Sequence, residues 1–250
     1  TADTTGVKHL DLPKAKGDAL SFKQVSPAQK GIYVQSLRTR HRTTYVLQYS
    51  FRMVLPDEGA ALEEGWRKAH QHHELLRSAF VLTPSSQPVR VVVEGAPLRW
   101  TRTSLLHLEE AQQRKCVEDF LFQDKLAGFE LDKPALYRLH LFHLGGKDYQ
   151  FVLSAHHLVL DGASVFALMT EVFSGAPGAE DAFPAYIAGQ EKFHLQPQDQ
   201  QLWSDLLKPF QMPVCVADKV AEPSLSPVEH QLFERRLPAT LEQAIMHLCG

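Results

Sequence analysis

Cysteine is scarce: Cys116, Cys215 and Cys249 are the three in 250 residues, widely spaced and in no pattern. This excludes a disulfide framework and the C-x-x-C pairs of a structural zinc site, and it suits a reducing compartment. An excess of positive charge is missing as well. The 26 Lys and Arg fall short of the 29 Asp and Glu, the net charge is −3, and no long basic tract occurs. A nucleic-acid partner is therefore not expected. No apolar run is long enough to span a bilayer and no signal-peptide pattern occurs, so the chain reads as soluble and cytoplasmic, without a membrane partner. Internal repeats and low-complexity stretches are absent too. What remains is 44% hydrophobic and 22% charged residues, enough apolar surface for one or two cores.

Against this background, one stretch places polar groups where apolar sequence is expected. It is Tyr149–Ser164, Y-Q-F-V-L-S-A-H-H-L-V-L-D-G-A-S. A turn signal, Gly145-Gly146-Lys147-Asp148, precedes it, and Phe151, Val152 and Leu153 read as a strand. From Ser164 the spacing predicts a helix that buries Phe166, Leu168, Met169, Val172 and Phe173. Side chains alternate along a strand, so His156 and His157 point opposite ways; one faces a channel while the other packs behind it. Adjacent histidines are poor chelators and no H-x-x-x-H accompanies them, so no metal is expected. Asp161, four residues beyond His157 across a turn, either caps the helix or pairs with a cation. Gly162 permits a φ or a backbone approach that a Cβ would block.

Residues 1–20 are polar and irregular and read as a linker or arm. Ser26 and Pro27 start a helix, as N-cap and first helical residue, with Ile32, Tyr33 and Leu37 buried. A short basic run, Arg38-Thr39-Arg40-His41-Arg42, follows. Tyr45, Leu47, Tyr49, Phe51 and Met53 then alternate with Val46, Gln48, Ser50 and Arg52, the clearest strand in the chain. A helix over 60–73 turns Leu62, Trp66 and Ala69 inward. Pro88–Glu94 and Leu98–Thr103 are expected to pair as strands around Gly95-Ala96-Pro97. A helix over 108–126 buries Val117, Phe120 and Leu121, and Leu136–Leu144 forms a hairpin with the histidine-bearing strand. His140 and His143 fall on opposite faces of that strand and read as structural or exposed. After a linker over 174–181, helices are expected at 183–195 and 199–207, then a proline-bearing loop, a strand over 230–237 and a helix over 238–248. Strands framed by helices make an α/β sandwich.

The heptad His156-His157-Leu158-Val159-Leu160-Asp161-Gly162 resembles the H-H-x-x-x-D-G motif of condensation domains in nonribosomal peptide synthetases, within the superfamily similar to chloramphenicol acetyltransferase. Further matches follow in family order. Ser26, Ala28, Gln29 and Tyr33 are similar to S-x-A-Q-x-R-L/M-W-x-L, with Gly31 where the family often has Arg. His72-His73-Glu74-Leu75-Leu76-Arg77-Ser78-Ala79-Phe80 is similar to R-H-E-x-L-R-T-x-F, with His72 for the first Arg and Ser78 for Thr. Phe183-Pro184-Ala185-Tyr186 with Gln190, then Trp203, loosely resembles the family's Y-x-D-F/Y-A-x-W-Q and a later Y-W segment, Gly189 standing in place of the motif Trp.

The resemblance implies a chloramphenicol-acetyltransferase-like two-layer sandwich, a mixed sheet flanked by helices. Residues 21–174 would form the N-terminal acetyltransferase-like subdomain of a condensation domain. Residues 175–250 would hold crossover helices and the start of an incomplete C-terminal subdomain. It implies that an acceptor aminoacyl thioester attacks a donor acyl or peptidyl thioester to make an amide, each carried on the phosphopantetheine arm of a carrier protein. The chain itself would bind no cofactor; its partners would be donor and acceptor carriers and the other half of the domain. His157 would be the base or amine-orienting group, with His156 and Asp161 supporting the loop. Gly162 and the amides behind it are placed to meet an oxyanion. Arg77 is one candidate partner for Asp161. Arg38, Arg40 and Arg42 either form a solvated loop or contact the phosphate of a carrier's arm. Ester formation, a coenzyme A donor, epimerisation, and a non-catalytic half-domain that docks carriers are the alternative readings. With the tunnel's second half missing, the 250 residues are expected to be inactive alone.

Overall fold

The computed structural model describes residues 20–39, 42–175, 183–192 and 197–209, together with Pro238, Leu241 and His247. The expected arm over 1–20 (apart from Leu20), most of the linker over 174–181, nearly all of the proline-bearing loop, and the strand and most of the helix after it lie outside the described residues. The chain separates into two compact units, Thr1–Asp199 and Gln200–Gly250, and the sheets and the candidate site belong to the first.

Two sheets organise that unit. The larger has the order β2 (Val46–Val54), β7 (Asp148–His156), β6 (Tyr137–Gly145), β5 (Trp100–Ser104). Its pairs are antiparallel except β5 with β6, so the sheet is mixed. The smaller has the order β1 (Leu20–Lys23), β4 (Pro88–Val93), β3 (Ser78–Leu82), all antiparallel. The expected pairing of residues 88–94 with 98–103 does not occur. Ala96 is buried and its carbonyl accepts a hydrogen bond from His70 Nε2 at 2.7 Å, which holds the connection against helix α2 (Ala60–His72) and carries the chain from one sheet to the other.

The β6–β7 hairpin forms around Gly145-Gly146 as its sequence predicts, and alternation then assigns each face. Tyr149, Phe151, Leu153 and Ala155 enter the main core, under helices α2 and α4 (Gly162–Ser174). Trp66 of α2 is fully buried against Tyr137 and Phe151 at 5.9 and 6.1 Å between ring centroids. Helices α2 and α4 touch closely at Gly65, where a Cβ would lie 2.7 Å from the Val172 carbonyl oxygen. On the opposite face, Val152 and Phe142 meet Val117 of helix α3 (Glu110–Ala127). Gln48, Ser154 and Asp124 form the polar end of that contact.

Two expectations about exposed surface are corrected. Phe166 and Phe173 are 62% and 53% exposed, because α4 buries only the narrower stripe Val165, Leu168, Met169 and Val172. On helix α1 (Pro27–Arg38) Leu37 is exposed, while Gln29 and Tyr33 are buried. The two remaining helices, α5 (Phe183–Lys192) and α6 (Pro197–Leu207), fall where the sequence predicts them. No helix among the described residues is long and apolar enough to cross a membrane.

Candidate active site

The two histidines part at the end of β7 as alternation requires. His156 is 2% exposed and sits on the α3 face, edge-on to Phe129. Its amide donates to the Leu136 carbonyl at 2.9 Å, and its Nδ1 accepts from the Leu158 amide at 3.2 Å. Burial and the neighbouring His157 push its pKa down to about 4, so the ring is neutral and Nδ1 stays free to accept. His157 is half-buried, and its amide donates to the Tyr45 carbonyl at 2.9 Å. Among the described residues neither nitrogen of its ring has a hydrogen-bond partner, which leaves the imidazole available to a substrate.

Tyr45, which alternation assigns to the strand, instead sits just before it at φ 63. A bulky residue in the left-handed region stores strain. The twist aims its carbonyl at His157 and sets its ring 6.2 Å from His156 and 6.3 Å from His157, edge-on to the latter. Nothing in the sequence signals this.

Beyond the pair, the loop is held from both ends. Val159 and Leu160 amides return to the His156 carbonyl. Gln29 reaches across from α1 and donates to the Leu158 carbonyl at 2.9 Å, while its side-chain oxygen closes a capping box with the Ser26 amide. Asp161 takes the capping option: its carboxylate accepts from the Ser164 amide at 2.7 Å and opens α4. The hydrogen bonds from Ser164 hold its carboxyl below the usual range, with a smaller contribution from nearby His157. Asp161 is exposed, so its loss strands no buried partner. Asp161→Ala should cost about 1 kcal/mol of stability and Asp161→Asn only a few tenths, since Asn caps nearly as well. Thermal unfolding of the two variants checks this; equal, large losses would contradict a capping role.

Gly162 is not needed for its own backbone conformation. Its φ lies outside the left-handed region, and an added Cβ would meet the Tyr49 hydroxyl at an ordinary 3.6 Å. Any demand for glycine here comes from what approaches the loop. Tyr49 itself packs edge-on to Phe166 at 6.3 Å and stacks on Phe51, so an aromatic wall stands beside Gly162.

The sequence matches the profile of the family described as Condensation domain over residues 21–249. The chain belongs to the condensation domain family. A linear gramicidin synthase of Brevibacillus parabrevis is 31% identical over 199 residues, 76% of this chain but 4% of that protein. Bacitracin synthase 1 of Bacillus licheniformis is 27% identical over 175 residues, 68% of this chain and 3% of its own length. Among solved structures, the first condensation domain of the calcium-dependent antibiotic synthetase, in complex with a substrate analogue, superposes with a TM-score of 0.67 at 19% identity. That match covers 78% of this chain and 50% of the other. The starter condensation domain of rhizomide synthetase in complex with C8-CoA superposes with a TM-score of 0.66 at 15% identity, covering 80% and 49%. The chloramphenicol-acetyltransferase-like α/β fold expected from the motifs is thus the fold observed.

Within this condensation domain the second motif is framework. Arg77 is 7% exposed and donates to the His70 carbonyl at 2.7 Å, to the Gln71 carbonyl, and to Glu94 at 3.4 Å. A guanidinium on the last carbonyls of α2 satisfies groups that the helix leaves open. It is not the partner of Asp161, whose partner is its own helix. His73 of the same motif ties α2 to α4 through Glu171 at 2.8 Å. Arg38 is exposed at the end of α1, and Arg40 lies outside the described residues. Arg42 turns toward Glu130 at 3.3 Å, beside Arg99 and Arg138 from distant parts of the chain.

Proposed function

We propose that this chain supplies the histidine-bearing half of a site that joins two carrier-bound thioesters by an amide bond. The observation that carries the reading is His157: a half-buried imidazole with both ring nitrogens unengaged among the described residues, its backbone pinned by Tyr45, beside a buried neutral His156. In the step proposed, the acceptor's amino nitrogen attacks the donor's thioester carbonyl. The new bond is C–N and the broken one is C–S. The proton lost from nitrogen passes through His157 toward the departing thiolate, which leaves as the carrier's thiol. Phosphopantetheine arms on partner carriers bring both substrates, and the thioester is already activated. Positioning therefore contributes much of the rate.

The helix start contributes less to the oxyanion than its placement suggests. Asp161 already holds a negative charge over the first turn of α4 and engages the Ser164 amide. A second anion there would meet that charge, so amine positioning by His157 is the central function.

The chain spans about half the length of the solved condensation domains that it matches. The second wall of the channel is assigned to the other half, and water reaches His157 when that wall is absent. Intact-protein mass spectrometry with a loaded donor and a loaded acceptor carrier tests the reading. A complete domain containing these residues should transfer the donor's acyl mass onto the acceptor, and the 250 residues alone should not. Equal transfer by a monomeric 250-residue chain would overturn the division into halves. No transfer by the complete domain with any loaded pair would overturn the reading itself.

A further inference from the structure

Arg42, the last member of the basic run, lines a cleft with residues from distant parts of the chain. Arg42, Arg99, Lys133 and Arg138 line one cleft of about 330 Å³, with Glu130 at its rim and Phe129 in its wall. The cleft is held in shape from inside. Arg138 is fixed by Asp124 at 2.7 Å and by the Gly128 carbonyl at 2.7 Å, and its guanidinium lies 4.1 Å from the Phe129 ring centroid. Gly128, at φ 56, brings the end of α3 against Arg42 so closely that a Cβ would fall 2.3 Å from the Arg42 carbonyl oxygen. Only a glycine permits that approach.

Its charge is not balanced from within. Arg138 is matched by Asp124 and Arg42 by Glu130, whereas Arg99 makes a single hydrogen bond to the Pro134 carbonyl. No carboxylate lies within ion-pair distance of Arg99 or Lys133 among the described residues. Burial, and then the like charge of Arg138, hold the Arg99 pKa below its usual value against the opposing pull of Glu130. The cleft also adjoins the histidines. Phe129 is edge-on to His156, the Leu136 carbonyl binds the His156 amide, and Arg42 lies three residues before Tyr45.

We propose that this cleft binds a phosphate group, and that its ligand is the phosphate of a pantetheine arm, presented by coenzyme A or by a carrier protein. The chemistry fits a phosphate because the Arg42 and Arg99 guanidiniums and the Lys133 ammonium line one cleft, and Arg99 and Lys133 have no ion-pair partner among the described residues. The identity of the arm rests on the function proposed above; the presence of an anion site does not.

Calorimetric titration of the 250-residue chain with pantetheine, 4′-phosphopantetheine, coenzyme A and inorganic phosphate tests it. Both phosphorylated arms should bind at least about tenfold more tightly than pantetheine, with a preference that weakens as salt rises. The double variant Arg99→Gln, Lys133→Gln should remove that preference and leave the melting temperature unchanged; Arg38→Gln should change nothing. Tighter binding of coenzyme A than of phosphopantetheine would identify the free coenzyme as the source, and equal binding would identify the single phosphate shared with a carrier. Equal affinity for pantetheine, or a double variant that binds as wild type does, would overturn the site. Inorganic phosphate binding as tightly as both arms would overturn the pantetheine assignment. None of these readouts requires turnover, so failure of the condensation reading and failure of the cleft are separable.

Discussion

Replacing His157 with alanine in a complete condensation domain should lower amide formation by about 10²–10⁴-fold, the range that one positioned acid–base group contributes. Stability should change by less than about 0.5 kcal/mol, because a half-buried ring without hydrogen-bond partners among the described residues carries little of the fold. The contrast with His156 makes the result interpretable. His156 lies in the core, and its Nδ1 receives the Leu158 amide, so its removal unsettles the loop itself. Single-turnover rates from the loaded carriers, measured with the melting temperature, check the expectation. His157→Gln adds a second readout: it retains hydrogen-bonding capacity but cannot take up a proton. If Gln restores most of the rate, His157 orients the amine. If Gln is as poor as Ala and the wild-type rate rises with pH as an imidazole loses its proton, it acts as base. A near-normal rate for His157→Ala would remove His157 from the mechanism.

The local parts of this site are legible in the sequence. Alternation separates His156 from His157, the Gly145-Gly146 turn fixes the hairpin that carries them, and Asp161 before a helical pattern reads as a cap. What is not legible depends on contacts between residues far apart in the chain. Gln29 stands 129 positions from the carbonyl that it holds, and in the sequence it is only part of a helix-start motif. Tyr45 matches the strand's alternation, and no propensity reports that an aromatic residue will sit at positive φ. Arg77 is matched to the wrong group by charge alone, because an exposed N-cap needs no cation, whereas the open carbonyls of α2 need a donor. Residues 88–103 read as a hairpin on local signals, and the bond between His70 and Ala96 that sends them to different sheets leaves no mark in a short window.

The neutral state of His156 has a consequence that a stability curve can read. Its pKa is about 4 in the fold against 6.5 for an unperturbed imidazole, with burial as the main cause and His157 as the second. Between those values the unfolded chain binds a proton that the folded chain refuses, so stability rises with pH across the window and falls as pH drops through it. At about pH 4.5 this single group should cost about 2–3 kcal/mol relative to about pH 7. The carboxyl of Asp161 is held low and titrates below 3.8, outside that window. His70 and His140 also have lowered pKa values, each chiefly through burial, and they add slope of the same sign. His156→Asn isolates the first contribution, because an amide oxygen can still accept from the Leu158 amide but cannot ionise. Urea unfolding at the two pH values should show a smaller acid loss in His156→Asn than in wild type by about 2 kcal/mol. If His156→Asn loses as much as wild type, His156 does not titrate as a buried neutral ring, and the support it is assigned behind His157 fails with it.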